Sequence, residues 1–337
     1  MTTPLVLGLS VGGALSLSDA AEVATAARDS GVSAIRLLDG GPDGDVLDTS
    51  AVAGYLAGHF PEPGWIVDAP TTHNPPYNLA RRVLSLDRAS AGRTGLALRA
   101  GDGDAVTSAA LPDSALAGST GPGSTATDAE AVERGARWAE YATVLTRLWE
   151  SFPAAALLGD QDSGLFAETA AIRPVDHEGR FYRVAGPLDG PSSPQGRPVL
   201  VADLRDEVRW VDAVAVADAV VIPRDRVAGA GARLDEAFVR AGRPRREVAV
   251  LGRVEWPAPE SAGGTGGAGE AGVERDAAEV AEWAAYHAVD GVELVPTGGD
   301  AGRVATLLRA LAPRLRPAHA PTLRAALGLP ELSGAVS

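Results

Sequence analysis

DSGLFAETAAIRPVDHEGRFYRVAGPLDGPSSPQGRPVLVAD, residues 162–203, is the stretch on which the reading of the fold turns. It is a long run of turn formers that ends in PVLVA, a short apolar segment with the character of a strand buried on both faces. A loop of this length inside a compact domain usually covers a site rather than merely joining two elements. The run is therefore expected to form a lid over one end of a barrel, an insertion over residues 153–196. The residues after the strand, Asp203-Leu204-Arg205-Asp206, contain no glycine or serine of the kind that cradles a phosphate at a helix start.

Outward from this strand, short apolar runs alternate with helical stretches, the pattern of parallel strands joined by crossover helices. The runs are Leu5–Leu9, Ser33–Leu38, Trp65–Ala69, Gly95–Arg99, Pro198–Ala202, Ala219–Ile222, Val248–Val254 and Val292–Val295. The helices expected after them are Ser18–Ser30, Thr49–Gly58, Pro76–Ala91, Asp128–Phe152, Asp206–Val216, Asp225–Ala241, Glu274–Ala288 and Asp300–Leu311. Repeated strand-helix units of this kind predict a (β/α)8 TIM barrel spanning residues 1–337 as one domain, with its site at the C-terminal ends of the strands. The inserted lid falls between the fourth helix and the fifth strand. Two stretches rich in Gly, Ala, Ser, Thr and Pro, residues 109–127 and 257–272, are expected to be flexible loops.

Composition excludes several chemistries. The net charge of −14 argues against a surface that tracks a phosphate backbone, so nucleic acid is not an expected partner. All 30 basic residues are Arg, and Cys is absent. A Schiff-base lysine, a P-loop lysine and a thiol nucleophile are thereby excluded. His59, His73, His177, His287 and His319 have no metal-ligand spacing, so no metal site is expected. No apolar window reaches the roughly 20 residues of a membrane span, and the expected location is cytoplasmic.

Several segments together resemble one known family. They are TTHNPPYNLARR (71–82), SLDRASAGR (85–93), the run from Glu133-Arg134 to Leu148-Trp149-Glu150, the stretch 162–201 with PQGRP (194–198), and TLRAALGLP (322–330). In this order they resemble the bacterial luciferase-like monooxygenases, in the branch of nitrilotriacetate and dibenzothiophene-sulfone monooxygenases. The resemblance implies a TIM barrel that takes reduced FMN from a separate flavin reductase and uses it with O2 to oxygenate a small organic substrate. It also implies a homo-oligomer. The deazaflavin F420 is the alternative cofactor. A second alternative is a family member that has lost flavin chemistry and serves as a partner subunit or small-molecule binder.

The departures from the family concentrate where the flavin would sit. The resemblance implies Gln-Ala-Gly-x-Ser after the fifth strand, but the chain has Ala202-Asp203-Leu204-Arg205-Asp206. An Asp within 4 Å of a phosphate would repel it by about 4 kcal/mol per pair of unit charges, an effect Arg205 could offset; Asp203 or Asp206 could instead cap the next helix. On the fourth strand GLALRAG (95–101) stands for the family's Gly-Trp-Asn-Val-Val-Thr-Ser, and Gly135 follows Glu133-Arg134 in place of an aromatic residue. The first strand lacks the family's His and Trp. The candidate cofactor-binding residues are Asp39, Thr72, Arg99, Asp203 and Arg205, and the candidate catalytic residue is His73, as a proton donor. Asp39 could equally cap the Gly40-Gly41 turn, Thr71 and Thr72 could hold the turn before Pro75, and Arg99 could pair with Asp39 or Asp102. A pocket rebuilt around Trp65, Leu96 and Leu98 would have apolar contents, but these residues could equally be packed solid.

Overall fold

The computed structural model describes residues 2–12, 15–40, 46–101, 128–205, 208–256, 270–297 and 300–332. Eight parallel strands close a barrel: β1 (Leu5–Leu9), β2 (Ala34–Leu37), β3 (Gly64–Pro70), β4 (Thr94–Arg99), β9 (Val199–Asp203), β10 (Ala219–Pro223), β11 (Ala249–Trp256) and β12 (Gly291–Pro296). The ring closes where Leu5 pairs with Val292 and Leu7 with Leu294. The outer layer consists of α1 (Leu17–Asp29), α2 (Thr49–His59), α3 (Pro76–Ala89), α4 (Asp128–Glu150), α5 (Trp210–Val216), α6 (Arg224–Val227), α7 (Ala230–Ala241), α8 (Glu270–His287) and α9 (Ala301–Leu315), followed by a short α10 (Leu323–Ala326). The TIM barrel expected from the strand-helix alternation is the fold of the chain.

Strand parity divides the interior into two apolar sets, because successive side chains point to opposite faces. Leu7, Ile35, Trp65, Val67, Leu96, Leu98, Leu200 and Val292 face the helix layer. Their neighbours Val6, Ala34, Ile66, Ala97, Val201, Val221 and Leu251 fill the barrel itself. Trp65, Leu96 and Leu98 therefore do not line a pocket: they lie on the opposite face of the pleat, and the barrel-facing residues beside them are Ile66 and Ala97. Leu323, Leu327 and Leu329 close the bottom of the barrel from α10 onward. Space for this plug comes from Gly64 and Gly95, where an added Cβ would stand 2.9 Å from a Leu323 methyl.

The long α4 is held by its apolar stripe. Trp138, Tyr141, Leu145, Leu148 and Trp149 are fully buried, and the two indoles donate to Leu98 O at 2.8 Å and Ala80 O at 2.9 Å. The segment after α4 carries two small hairpins, β5 (Leu157–Asp160) with β6 (Leu165–Ala167) and β7 (His177–Glu178) with β8 (Arg183–Val184). Val175, Phe181, Tyr182 and Leu188 of this segment are buried in the core that α4 shares. Glu140 of α4 accepts from Phe181 N, Tyr182 N and His177 Nε2, which docks the second hairpin on the helix.

The expected loop 109–127 lies outside the described residues, as does 257–269 of the second, and α8 begins at Glu270, within the expected loop. The helix expected over 225–241 is two pieces, because Gly229 at φ +83° leaves the helical region between them.

At the bottom of the barrel Asp87 is fully buried. Its Oδ1 accepts from Thr94 N and Gln195 Nε2, both at 2.8 Å. Burial pushes this carboxyl up to about 6, although hydrogen bonds from Ser193 and Gln195 oppose the shift. The folded chain thus holds a proton in a pH range where the unfolded chain has released it. Stability should fall as pH rises from about 4 to about 6, by about 3 kcal/mol from this group, and level off above. The variant Asp87→Asn keeps an acceptor for both donors and removes the titration. Its urea midpoint relative to the parent should improve between pH 4.5 and pH 7; a constant difference would refute the assignment.

Candidate active site at the barrel mouth

Toward the C-terminal ends of the strands the barrel filling changes from apolar to ionic. Arg36 on β2, Asp68 on β3, Asp203 on β9, Arg253 on β11 and Glu293 on β12 are all buried, none more than 2% exposed. Arg36 donates to Asp68 Oδ1 at 2.8 Å and Glu293 Oε1 at 2.9 Å, and lies 3.2 Å from Asp203 Oδ2. Arg253 reaches Asp203 Oδ2 at 2.7 Å and donates from Nε to Glu293 Oε2. With Arg205, whose backbone N, Nε and Nη2 all lie within 3.3 Å of the Asp203 carboxylate, the layer holds three guanidinium groups and three carboxylates. Charges taken this far from water persist because each is paired and hydrogen-bonded.

This layer overturns the helix-cap reading of Asp203 and shows its charge offset by Arg205, as the sequence allowed. Asp203 does not cap α5, which starts at Trp210 with no side-chain cap. Nor is it a free charge facing a phosphate: the Arg36, Arg253 and Arg205 guanidinium groups hold its carboxyl well below the usual range against the opposing effect of burial. Asp206 lies outside the described residues.

Above the layer, Asp39 and Arg99 meet across the ends of β2 and β4. Arg99 Nη1 donates to the Asp39 carbonyl and lies 4.0 Å from its carboxylate. Asp39 N donates to Asp68 Oδ2 at 3.2 Å, which ties the rim to the buried layer. Partial burial and the Asp68 carboxylate raise the Asp39 carboxyl above its ordinary value, against the attraction of Arg99. Asp102 and Gly41, its other sequence-expected neighbours, are outside the described residues.

Thr71 and Thr72 follow β3. Thr71 Oγ1 accepts from Gly101 N at 3.0 Å, and a Cβ on Gly101 would stand 2.1 Å from Thr72 Oγ1, so the two threonines abut the end of β4. His73 is exposed at φ +59°, on a turn fixed by Asn74 Nδ2 donating to Pro70 O and Thr72 O. Asp39, Thr72 and Arg99 thus gather on the β2–β4 side of the mouth, and Asp203 and Arg205 on the β9 side. The chain Arg99, Asp39, Asp68, Arg36, Asp203, Arg205 links the two groups through contacts of 4.0 Å or less.

Arg36, Asp68, Arg253 and Glu293 were not legible as site residues, though a signal existed. Each is a charge at a barrel-facing position inside an otherwise largely apolar strand, as in AIRL and VELV. Among the described residues no group of His, Asp and Glu could hold a metal ion, and no helix is long and apolar enough to cross a membrane.

A 138-residue segment is 36% identical to nitrilotriacetate monooxygenase component A of Aminobacter aminovorans, and 173 residues are 31% identical to dibenzothiophene-sulfone monooxygenase of Rhodococcus erythropolis. These segments make up 41% and 48% of this chain but only 28% and 33% of the relatives. Over these segments the chain is similar in sequence to luciferase-like monooxygenases, and it spans about a third of the length of these two relatives. EDTA monooxygenase from Chelativorans sp. BNC1 superposes on this barrel with a TM-score of 0.73 at 21% identity, covering 98% of this chain and 99% of the other. An F420-dependent secondary alcohol dehydrogenase shares the fold at a TM-score of 0.66 and 14% identity, over 94% of this chain and all of that one. No protein-family model matches the chain.

Proposed function

We propose that the chain is the oxygenating component of a two-component flavin monooxygenase, which receives reduced FMN from a separate reductase and oxidises a small organic molecule. The observation that carries this reading is the similarity to two named monooxygenases in a chain whose barrel mouth gathers Asp39, Thr72, Arg99 and Arg205. Reduced flavin supplies the electrons by which one atom of O2 enters a substrate and the other leaves as water. The donor set fits such an anionic group: Arg205 Nη1 is only loosely paired with Glu255 at 3.9 Å and retains hydrogen-bonding capacity toward a phosphate. Arg99 and the Thr72 hydroxyl would hold the opposite end, Asp203 would act by fixing Arg205, Asp39 would exchange a proton at the rim, and His73 would be the donor nearest solvent. The ionic layer beneath offers a dry floor that excludes bulk water from the reacting atoms.

The test is an anaerobic titration with reduced FMN, alongside oxidised FMN and reduced F420, followed by turnover with a flavin reductase. Saturable binding of reduced FMN at micromolar concentration is expected. Absence of binding by any flavin would reject the proposal. It would favour a barrel retained as a partner subunit or small-molecule binder, a reading supported by Asp203 and Arg205 being engaged with each other where the resemblance implies phosphate-binding amides.

A further inference from the structure

We propose that a cavity across the ends of β9, β10 and β11 is an oxyanion subsite that takes the carboxylate or sulfonate of a small substrate bound at the mouth. The cavity measures about 510 Å3, and its lining includes Arg205, Arg224, Arg226 and Arg253 with Asp225 and Glu255. Four guanidinium groups face one opening in a chain of net charge −14. A protein so acidic repels small anions at long range, and a local cluster of cations is what lets one enter.

Two of these groups have unused capacity. Arg253 is 2% exposed, and its buried Nη1 has no hydrogen-bond partner, while Nε is engaged by Glu293 and Nη2 lies 2.7 Å from Asp203. A buried N–H without an acceptor is unusual and costly, and an oxyanion in the cavity would satisfy it. Arg226 donates to the Leu204 carbonyl at 2.9 Å and has no carboxylate partner among the described residues. Arg224 is tied to Glu279 on α8 at 2.5 Å, which holds its stem at the cavity wall. The planar guanidinium suits two-point contact with a carboxylate, sulfonate or phosphate, and arginine is the only basic side chain this sequence employs.

The inference rests on the mouth being the active site and adds the charge class of what is bound there. Isothermal calorimetry at low ionic strength, on the full chain and on Arg224→Gln/Arg226→Gln, tests it with malonate and inorganic phosphate as probes. Neither substituted residue belongs to the buried ionic layer, so the variant retains it. Saturable binding that the double variant weakens by about tenfold or more is expected. No saturation by either probe below about 10 mM, or equal binding by parent and variant, overturns the subsite. The same samples titrated with reduced FMN and reduced riboflavin identify the source of the oxyanion. A loss confined to FMN overturns the proposal, because the cavity then serves only the flavin phosphate, whereas unchanged flavin binding with weakened malonate binding supports it. Failure of flavin binding with malonate binding intact rejects the flavin reading and leaves the subsite standing.

Discussion

Replacing Glu293 with leucine will destabilise the chain by about 3–5 kcal/mol, measured as a loss in the free energy of urea unfolding. Glu293 is fully buried and accepts from both Arg36 and Arg253. Its removal leaves three guanidinium groups, those of the buried Arg36 and Arg253 and of the half-exposed Arg205, facing two carboxylates. The cost arises from the stranded charge more than from the lost bonds, and that origin can be tested separately. Adding Arg253→Met to Glu293→Leu leaves Arg36 and Arg205 opposite Asp68 and Asp203, so the balance returns. The double variant should be more stable than Glu293→Leu alone, a coupling expected of residues in one network. Additive losses, or a single-variant cost below about 1 kcal/mol, would mean that the layer is hydrated and its charges are screened.

Asp39→Asn is expected to lower turnover by about a hundredfold or more while leaving the unfolding midpoint close to that of the parent. Its carboxylate is the rim group raised above its ordinary value, by partial burial first and Asp68 second, while the loose 4.0 Å pairing with Arg99 opposes the shift. Under the proposed function Asp39 would act in its ionised form, as a proton acceptor and as the fixed partner of Arg99. Activity of the parent should therefore fall on acidification through an apparent pKa above that of a free aspartate, and this limb should vanish in Asp39→Asn. Steady-state turnover with a flavin reductase, run as a pH series, reads both effects. An Asn variant that keeps both the rate and the acid limb would place the proton transfer elsewhere, with exposed His73 the next residue to substitute.

The barrel was legible because its signal is local. LVLGL, AVVIP and VELVP are short, apolar and separated by helices of ordinary length, and chain connectivity then leaves few alternatives. Trp138, Tyr141, Leu145, Leu148 and Trp149 likewise announced the buried stripe of α4 by their spacing. The site was legible only as a location. Asp39 and Arg99 could be placed at the ends of their strands, and their pairing anticipated, because each is the charged residue closing an apolar run. Which residues of a strand face the barrel depends on pleat parity, where an error of one position exchanges the two faces. That is why the sequence leaves Trp65, Leu96 and Leu98 open between a pocket and solid packing and does not single out the barrel-facing Arg36, Asp68, Arg253 and Glu293. The state of Asp203 was illegible for a different reason: its three cationic neighbours come from β2, β11 and the turn after β9, and nothing local brings them together.

The plug at the bottom has a consequence for how the chain comes to be folded. Leu323, Leu327 and Leu329 fill space between strands made much earlier, and Gly64 and Gly95 are shaped around Leu323. The ring closes only when β12 reaches β1. Both closures join positions far apart in the chain, and contacts of that range make folding slow. During synthesis, β1 to β11 emerge before either closure is available, so their apolar faces stay open until the last strand and the plug leave the ribosome. The interval before that moment is when this chain is most exposed to aggregation and to chaperone capture.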